Sequence, residues 1–225
     1  MEAAPRRETV DLRSPNRLQE KGPAMTAAMV EHQQDSEGRP WDYLLHTWQE
    51  LDVPEGWRAE IDEGQIVLVP PPHPHHSGIA AKVQRRLYAN LPDELEIYQT
   101  LGVHVAPLGK LYVPDLVVMP AELIDTVDSD TSDPMDASEA LLIVEITSKG
   151  NAGEDRTKKY RAYARAGVPM YLLIDRFDIR GAMATLFTEP NEDGTFKRSD
   201  AVPFGKPLTL PEPFGTTLPT DGFPV

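Results

Sequence analysis

The sequence predicts a mixed fold of helices and strands, α+β with an α/β-like centre, and three observations predict it. Between Tyr112 and Asp175, short runs rich in Val, Ile and Leu are bounded by Pro, Gly or charge, the pattern of strands buried on both faces. A basic stretch with helical character separates the last two of these runs. Upstream, Trp57 to Val69 reads as a hairpin, with a turn at Asp62, Glu63 and Gly64 between two β-rich segments. Two of the central runs carry an acid, Asp115 and Glu145. A carboxylate beside a buried strand is costly unless it is paired, hydrogen-bonded or bound to a cation.

A chain of 225 residues with 40% apolar residues can bury one ordinary core with tails. Cysteine is absent, which excludes disulfides and thiolate metal sites and fits a reducing compartment. No apolar run approaches the roughly 20 residues that cross a bilayer, and the N-terminus lacks the apolar core of a secretion signal, so a cytoplasmic protein without a membrane partner is expected. The formal net charge of -14 argues against tight, nonspecific nucleic-acid binding by the whole surface. Only a local basic patch would override it.

Taken in order, residues 1–38 mix Pro, Glu, Arg, Gln and Ser without periodicity and read as a disordered leader, in which Met25 and Met29 are alternative starts to Met1. Trp41, Leu44, Leu45, Trp48 and Leu51 share one face of a helix that Pro54, Glu55 and Gly56 stop. After the hairpin, Pro70, Pro71 and Pro72 open a stiff connector, and Ser77 is a candidate cap for a helix with Ile79, Val83 and Leu87 inward. Lys82, Arg85 and Arg86 lie on its outer face, as a phosphate contact or an ordinary solvated face. His73, His75 and His76 do not share a helical face, which argues against a metal tract.

Residues 121–140 hold seven acids and no base. Asp128 and Asp130 alternate as in a calcium loop, but the glycine and bidentate glutamate of such a loop are not in place, and a solvated loop is the expectation. The stretch from Glu154 to Ala166 predicts a helix ended by Gly167 and Pro169, with Asp155 and Lys159 four apart on one face. That pair is either an ordinary surface pair or, near the end of the Glu145 strand, a means of bringing Lys159 to the carboxylates. A second hairpin follows around Asn191 to Gly194, and 207–225 reads as a proline-rich tail beyond a domain of 39–206.

Two carboxylates at the ends of neighbouring strands can hold one hard divalent cation, magnesium or manganese, with waters completing the shell. Thr147 shares the strand face of Glu145, and the Ile146 carbonyl between them is a further hard donor. The other reading is that both acids cap strand ends by accepting backbone amides.

The pieces Val113, Pro114 and Asp115, then Val144 to Ser148, then Asp155 with Lys159, then Tyr163 to Gly167 and Met170 to Asp175, resemble the Uma-two family of restriction endonucleases, a branch of the PD-(D/E)XK nuclease superfamily. Ala59, Glu60 and Ile61 before Glu63 and Gly64, and the prolines before His76, agree with it. The resemblance covers roughly Trp41 to Asp175, more weakly to Phe204. It implies a restriction-endonuclease-like core, a mixed β-sheet flanked by helices, that hydrolyses DNA by attack of a metal-activated water. Asp115 and Glu145 would be the metal ligands, and Lys159 the signature lysine that orients or activates the water and neutralises phosphate. Glu60 would be an accessory acid, with His76 facing the cleft and Lys158 on the substrate side. The position two after Glu145 is Thr147 rather than Lys, a departure from the superfamily pattern. Family members move the lysine to the following helix; Lys149 is the competing candidate. A basic cleft of Lys82, Arg85, Arg86, Lys158, Lys159 and Arg161, or a partner, would reconcile DNA binding with the acidic surface. No base-reading module is visible, so little sequence specificity is expected. Single-stranded or branched DNA and RNA stay open as substrates, as does a homodimer. The rival from another class is a catalytically idle nuclease fold kept as a binding or oligomerisation module.

Overall fold

The computed structural model describes residues 28–29, 40–127 and 133–225. The leader, apart from 28–29, and the Asp128 and Asp130 pair of the acidic stretch lie outside the described residues. In chain order the elements are β1 (Ala28–Met29), α1 (Trp41–Glu50), β2 (Arg58–Asp62), β3 (Gln65–Val69), α2 (Pro74–Tyr88), β4 (Leu95–Tyr98), β5 (Val103–Val105), β6 (Lys110–Tyr112), β7 (Leu116–Pro120), β8 (Met135–Asp136) and β9 (Leu142–Ile146). A single helical rod follows, called α3, made of Ala152–Glu154, a π-helical turn Asp155–Lys159 and Tyr160–Arg165. The chain ends with β10 (Met170–Asp175), β11 (Met183–Pro190), β12 (Phe196–Pro203), β13 (Leu208–Leu210) and β14 (Thr216–Leu218).

The central sheet has the order β12-β11-β10-β9-β7-β4. It is mixed, because β9 and β10 are parallel, joined by the α3 crossover, while the remaining neighbours run antiparallel. Its inner strands β7, β9 and β10 are almost wholly buried, so their successive side chains feed two cores. Leu116, Val118, Leu142, Val144, Leu172 and Ile174 face α2, whose Ile79, Val83 and Leu87 are wholly buried. Val117, Met119, Ile143, Tyr171 and Leu173 face Ala162 and Tyr163 of α3. By the same alternation Glu145 points to the α3 side with Ile143. A second sheet, β1-β3-β2-β6-β5-β8, carries the predicted hairpin. Its turn holds Glu63 and Gly64 at φ 50° and 73°, the left-handed pair that a tight hairpin needs. On this sheet lies α1, where Trp48 donates from Nε1 to the Ala59 carbonyl at 2.7 Å.

Three expectations change. The helix after the prolines begins at Pro74, one turn before Ser77, because His73 caps it by accepting the His75 amide and Pro suits the first helical position. Residues 207–225 are no loose tail: β13 and β14 pair, and Leu208, Leu210, Phe214, Leu218 and Phe223 enter the α2-side core. That segment also occupies the outer face of α2, since Lys82 donates to the Gly222 carbonyl and Arg86 to that of Thr217, at 2.7 Å. Among the described residues no helix is long and apolar enough to cross a membrane.

Candidate active site

Asp115 immediately precedes β7, and Leu116 pairs with Val144 of β9. One further step of that antiparallel register sets Asp115 opposite Glu145. Both are buried, at 9% and 3% exposure. The Asp115 carboxylate accepts from three donors: Arg58 Nη1 at 3.0 Å, His76 Nε2 at 2.9 Å and the Ile146 amide at 2.8 Å. Burial would raise its pKa, but His76, Arg58 and the Ile146 N–H hold it below the ordinary carboxylate value.

Glu145 is served differently. Lys159 Nζ lies 3.1 Å and the Tyr163 hydroxyl 2.8 Å from its Oε1. Burial dominates there, and together with the charges of Asp115 and Glu60 it pushes the Glu145 carboxyl up to about 7 against the pull of Lys159 and Arg58. Tyr163 stays a phenol, since burial and then the neighbouring Glu145 raise its pKa well above the ordinary value.

Lys159 is the hub. Besides Glu145 it reaches Glu60 at 3.0 Å and Asp155 at 3.8 Å, and it is only 5% exposed. Burial alone would lower its pKa, yet Glu145, Glu60 and Asp155 together drive it well above the ordinary lysine value. Its charged form is therefore favoured by the three acids around it. Glu60 comes from β2 of the other sheet, where its Oε1 also accepts the Val113 amide at 3.0 Å. Asp155 is raised well above the usual carboxylate range, first by burial and then by the other acids. The π-helical turn that carries Asp155 and Lys159 buries both, and such turns recur at functional sites.

The structure thus brings Asp115, Glu145, Lys159, Glu60 and His76 together. Lys158 does not join them; it is partly exposed and pairs with Asp62 at 2.9 Å and Glu63 at 3.2 Å on the hairpin. Lys149 is exposed beyond the end of β9. Of the six cations expected to make a basic cleft, four have other partners: Lys82 and Arg86 bond to carbonyls of the C-terminal segment, Lys158 pairs with the β2-β3 hairpin, and Lys159 is buried among acids.

Sequence reasoning missed Arg58 and Tyr163. Arg58 stands two before Glu60 on the same strand face, and Tyr163 four after Lys159 on the same helical face. Burial would lower the Arg58 pKa, but Asp115, which its guanidinium touches, and the charges of Glu145 and Glu60 raise it overall.

Among the described residues no group of three or more His, Cys, Asp or Glu side chains is arranged to hold a metal ion. A cation here would rest on Asp115, Glu145, the Ile146 carbonyl and solvent, a hard oxygen set that suits magnesium or manganese. The charges fit as well. Four buried acids, Asp115, Glu145, Glu60 and Asp155, face two permanent cations, Arg58 and Lys159. Glu145 and Asp155 are raised first by burial and then by the neighbouring acids.

Residues 42–221 match the family described as "Uma2: Putative restriction endonuclease". Among solved structures the chain is similar to a putative nuclease belonging to DUF820 from Anabaena variabilis, with 18% sequence identity and a TM-score of 0.59, over 76% of this chain and 90% of that one. At that identity the likeness shows a shared fold, the mixed sheet with flanking helices. No curated protein matches.

Proposed function

The chain belongs to the Uma2 family of putative restriction endonucleases, and from that premise we propose that it is a nuclease hydrolysing DNA phosphodiester bonds with a magnesium- or manganese-type cation held by Asp115 and Glu145. The observation that carries this reading is the buried pairing of Asp115 and Glu145 on neighbouring strands, with Lys159 on the Glu145 carboxylate. When bound, such a cation supplies Lewis-acid activation of water and charge stabilisation at the phosphate.

The chain's own residues do the rest. His76 and the Ile146 amide fix the Asp115 carboxylate, while Tyr163 and Lys159 fix that of Glu145, so each acid is held in place by its own partners. Without a cation the Glu145 carboxyl stands at about 7, and a bound cation would favour its ionised form. Lys159 is fully engaged by acids and acts on their charge and orientation. Arg58 lines the adjacent cleft and is the cation that meets a phosphate, for which a guanidinium is suited by its planar fork. Glu60 is an accessory acid through its hold on Lys159.

One observation favours the rival reading of an idle binding module: Asp115 already accepts three protein donors, as a purely structural carboxylate would. Nicking of supercoiled plasmid with magnesium or manganese, beside Asp115→Ala and Lys159→Ala, separates the two. Metal-dependent nicking lost in both variants is the expected result. Absence of nicking together with absence of divalent binding by calorimetry would assign the chain to the idle class.

A further inference from the structure

A cleft of about 620 Å³ opens beside the site, and Trp48, Trp57, Arg58, His76, Thr100 and Asp115 belong to its wall. That volume lies within the about 300–1,000 Å³ of small-ligand clefts. Whatever fills it rests against Asp115, the acid that the proposed cleavage uses.

Two features of the wall, at Trp57 and Thr100, are unexplained by the fold alone. Trp57 is only partly buried, and among the described residues its ring stacks on no other and its indole N–H has no partner. Trp48, by contrast, is fixed by its bond to the Ala59 carbonyl. Arg58 Nε and His76 Nδ1 are both buried and without a hydrogen-bond partner, although each residue has another nitrogen on Asp115. Neither atom has exposed surface, so both lie behind the wall and leave recognition in the cleft to the aromatic rings and the outer guanidinium nitrogens. Thr100 is held at φ 56°, a left-handed conformation that a β-branched residue seldom adopts and that gathers at ligand sites.

A flat apolar group fits the wall of Trp48 and Trp57, and a phosphodiester fits the Arg58 guanidinium beside it. We propose that this cleft receives one nucleobase unstacked from the strand that the chain cuts, so that the substrate is single-stranded or locally opened DNA rather than an intact stacked duplex. The inference rests on the nuclease reading and narrows it. It also eases the charge problem, because a single strand carries a lower charge density than a duplex toward a chain of net charge -14. Stacking on an aromatic platform tolerates every base, in keeping with the lack of a base-reading module.

The test is fluorescence anisotropy in EDTA with the full chain, Trp57→Ala and Trp57→Phe. The probes are a labelled 12-nucleotide single strand, its perfect duplex, and the duplex with one mismatch. We expect the single strand to bind about tenfold tighter than the perfect duplex, Trp57→Ala to lose about tenfold on it, and Trp57→Phe to recover most of that loss. Strong binding of the mismatched duplex would identify a flipped base, and binding of the single strand alone an unpaired strand. Trp57→Ala binding the single strand like wild type, or duplex and single strand binding equally, would overturn the cleft assignment. If the wild type nicks plasmid while Trp57→Ala binds unchanged, only the base cleft fails; if the wild type neither binds nor cuts, the nuclease reading fails with it.

Discussion

Nη1 of Arg58 lies 3.0 Å from Oδ1 of Asp115, on the carboxylate that a divalent cation would share with Glu145. Arg58 and a bound cation would therefore compete for the same charge. Removing the guanidinium leaves Asp115 with His76 and the Ile146 amide, and it removes a like charge from beside the incoming ion. Arg58→Ala is expected to bind manganese about tenfold tighter by calorimetry, while the metal-free protein loses about 3 kcal/mol of stability, the scale for breaking a buried pair. Unchanged or weaker manganese binding would mean that Arg58 does not overlap the cation position.

Lys159 poses the opposite problem, since its ammonium is the charge that Glu60, Glu145 and Asp155 share. Lys159→Met keeps most of the volume and removes the charge. At pH 8 the variant should lose about 3–5 kcal/mol in urea unfolding. At pH 5.5 the loss should shrink, because the orphaned acids then take up protons. An equal loss at both pH values would show that the side chain acts through packing.

These residues also show what a sequence can disclose. Asp115, Glu145 and Lys159 were legible because each breaks a local pattern: an acid in a buried strand run, or a cation at helical spacing from an acid. Arg58 and Tyr163 break none. An arginine in a hairpin strand and a tyrosine on an amphipathic helix are ordinary, and their meeting with Asp115 and Glu145 depends on how the two sheets and α3 pack. The basic faces were legible as helix faces, but not their partners: Lys82 and Arg86 are taken up by carbonyls more than 130 positions away. Strands β7, β9 and β10 of the central sheet were readable because burial on both faces leaves near-continuous apolar runs. The 207–225 segment was not, because Pro and Gly between two three-residue strands hide the alternation of Leu208 and Leu210.

That hidden hairpin carries measurable stability. Phe214, between β13 and β14, is 1% exposed and belongs to the core shared with Ile79, Val83 and Leu87 of α2. Phe214→Ala should cost about 3–5 kcal/mol in chemical denaturation, the range for a large aromatic removed from a packed interior. A loss below about 1 kcal/mol would return 207–225 to the status of a dispensable tail.

Glu145 gives a pH signature that needs no substrate. Its folded pKa of about 7 exceeds the ordinary 4.5, chiefly through burial. The folded state thus binds the proton more tightly than the unfolded chain. The favourable contribution is fully present below pH 4.5 and is lost as pH rises through 7, a change on the order of 3 kcal/mol. Asp155 acts in the same direction, whereas Asp62 and Asp115, whose pKa values are lowered, exert their influence below their ordinary 3.8 and outside this window. Urea unfolding in EDTA should therefore show stability falling between pH 5 and 8, and Glu145→Gln should remove most of that slope. Magnesium should oppose the fall, because a cation on Asp115 and Glu145 favours the ionised carboxylate and releases its proton. Stability that rises over the same interval without metal would mean that Glu145 is already ionised and fully neutralised by Lys159, leaving no excess charge for a divalent cation to balance.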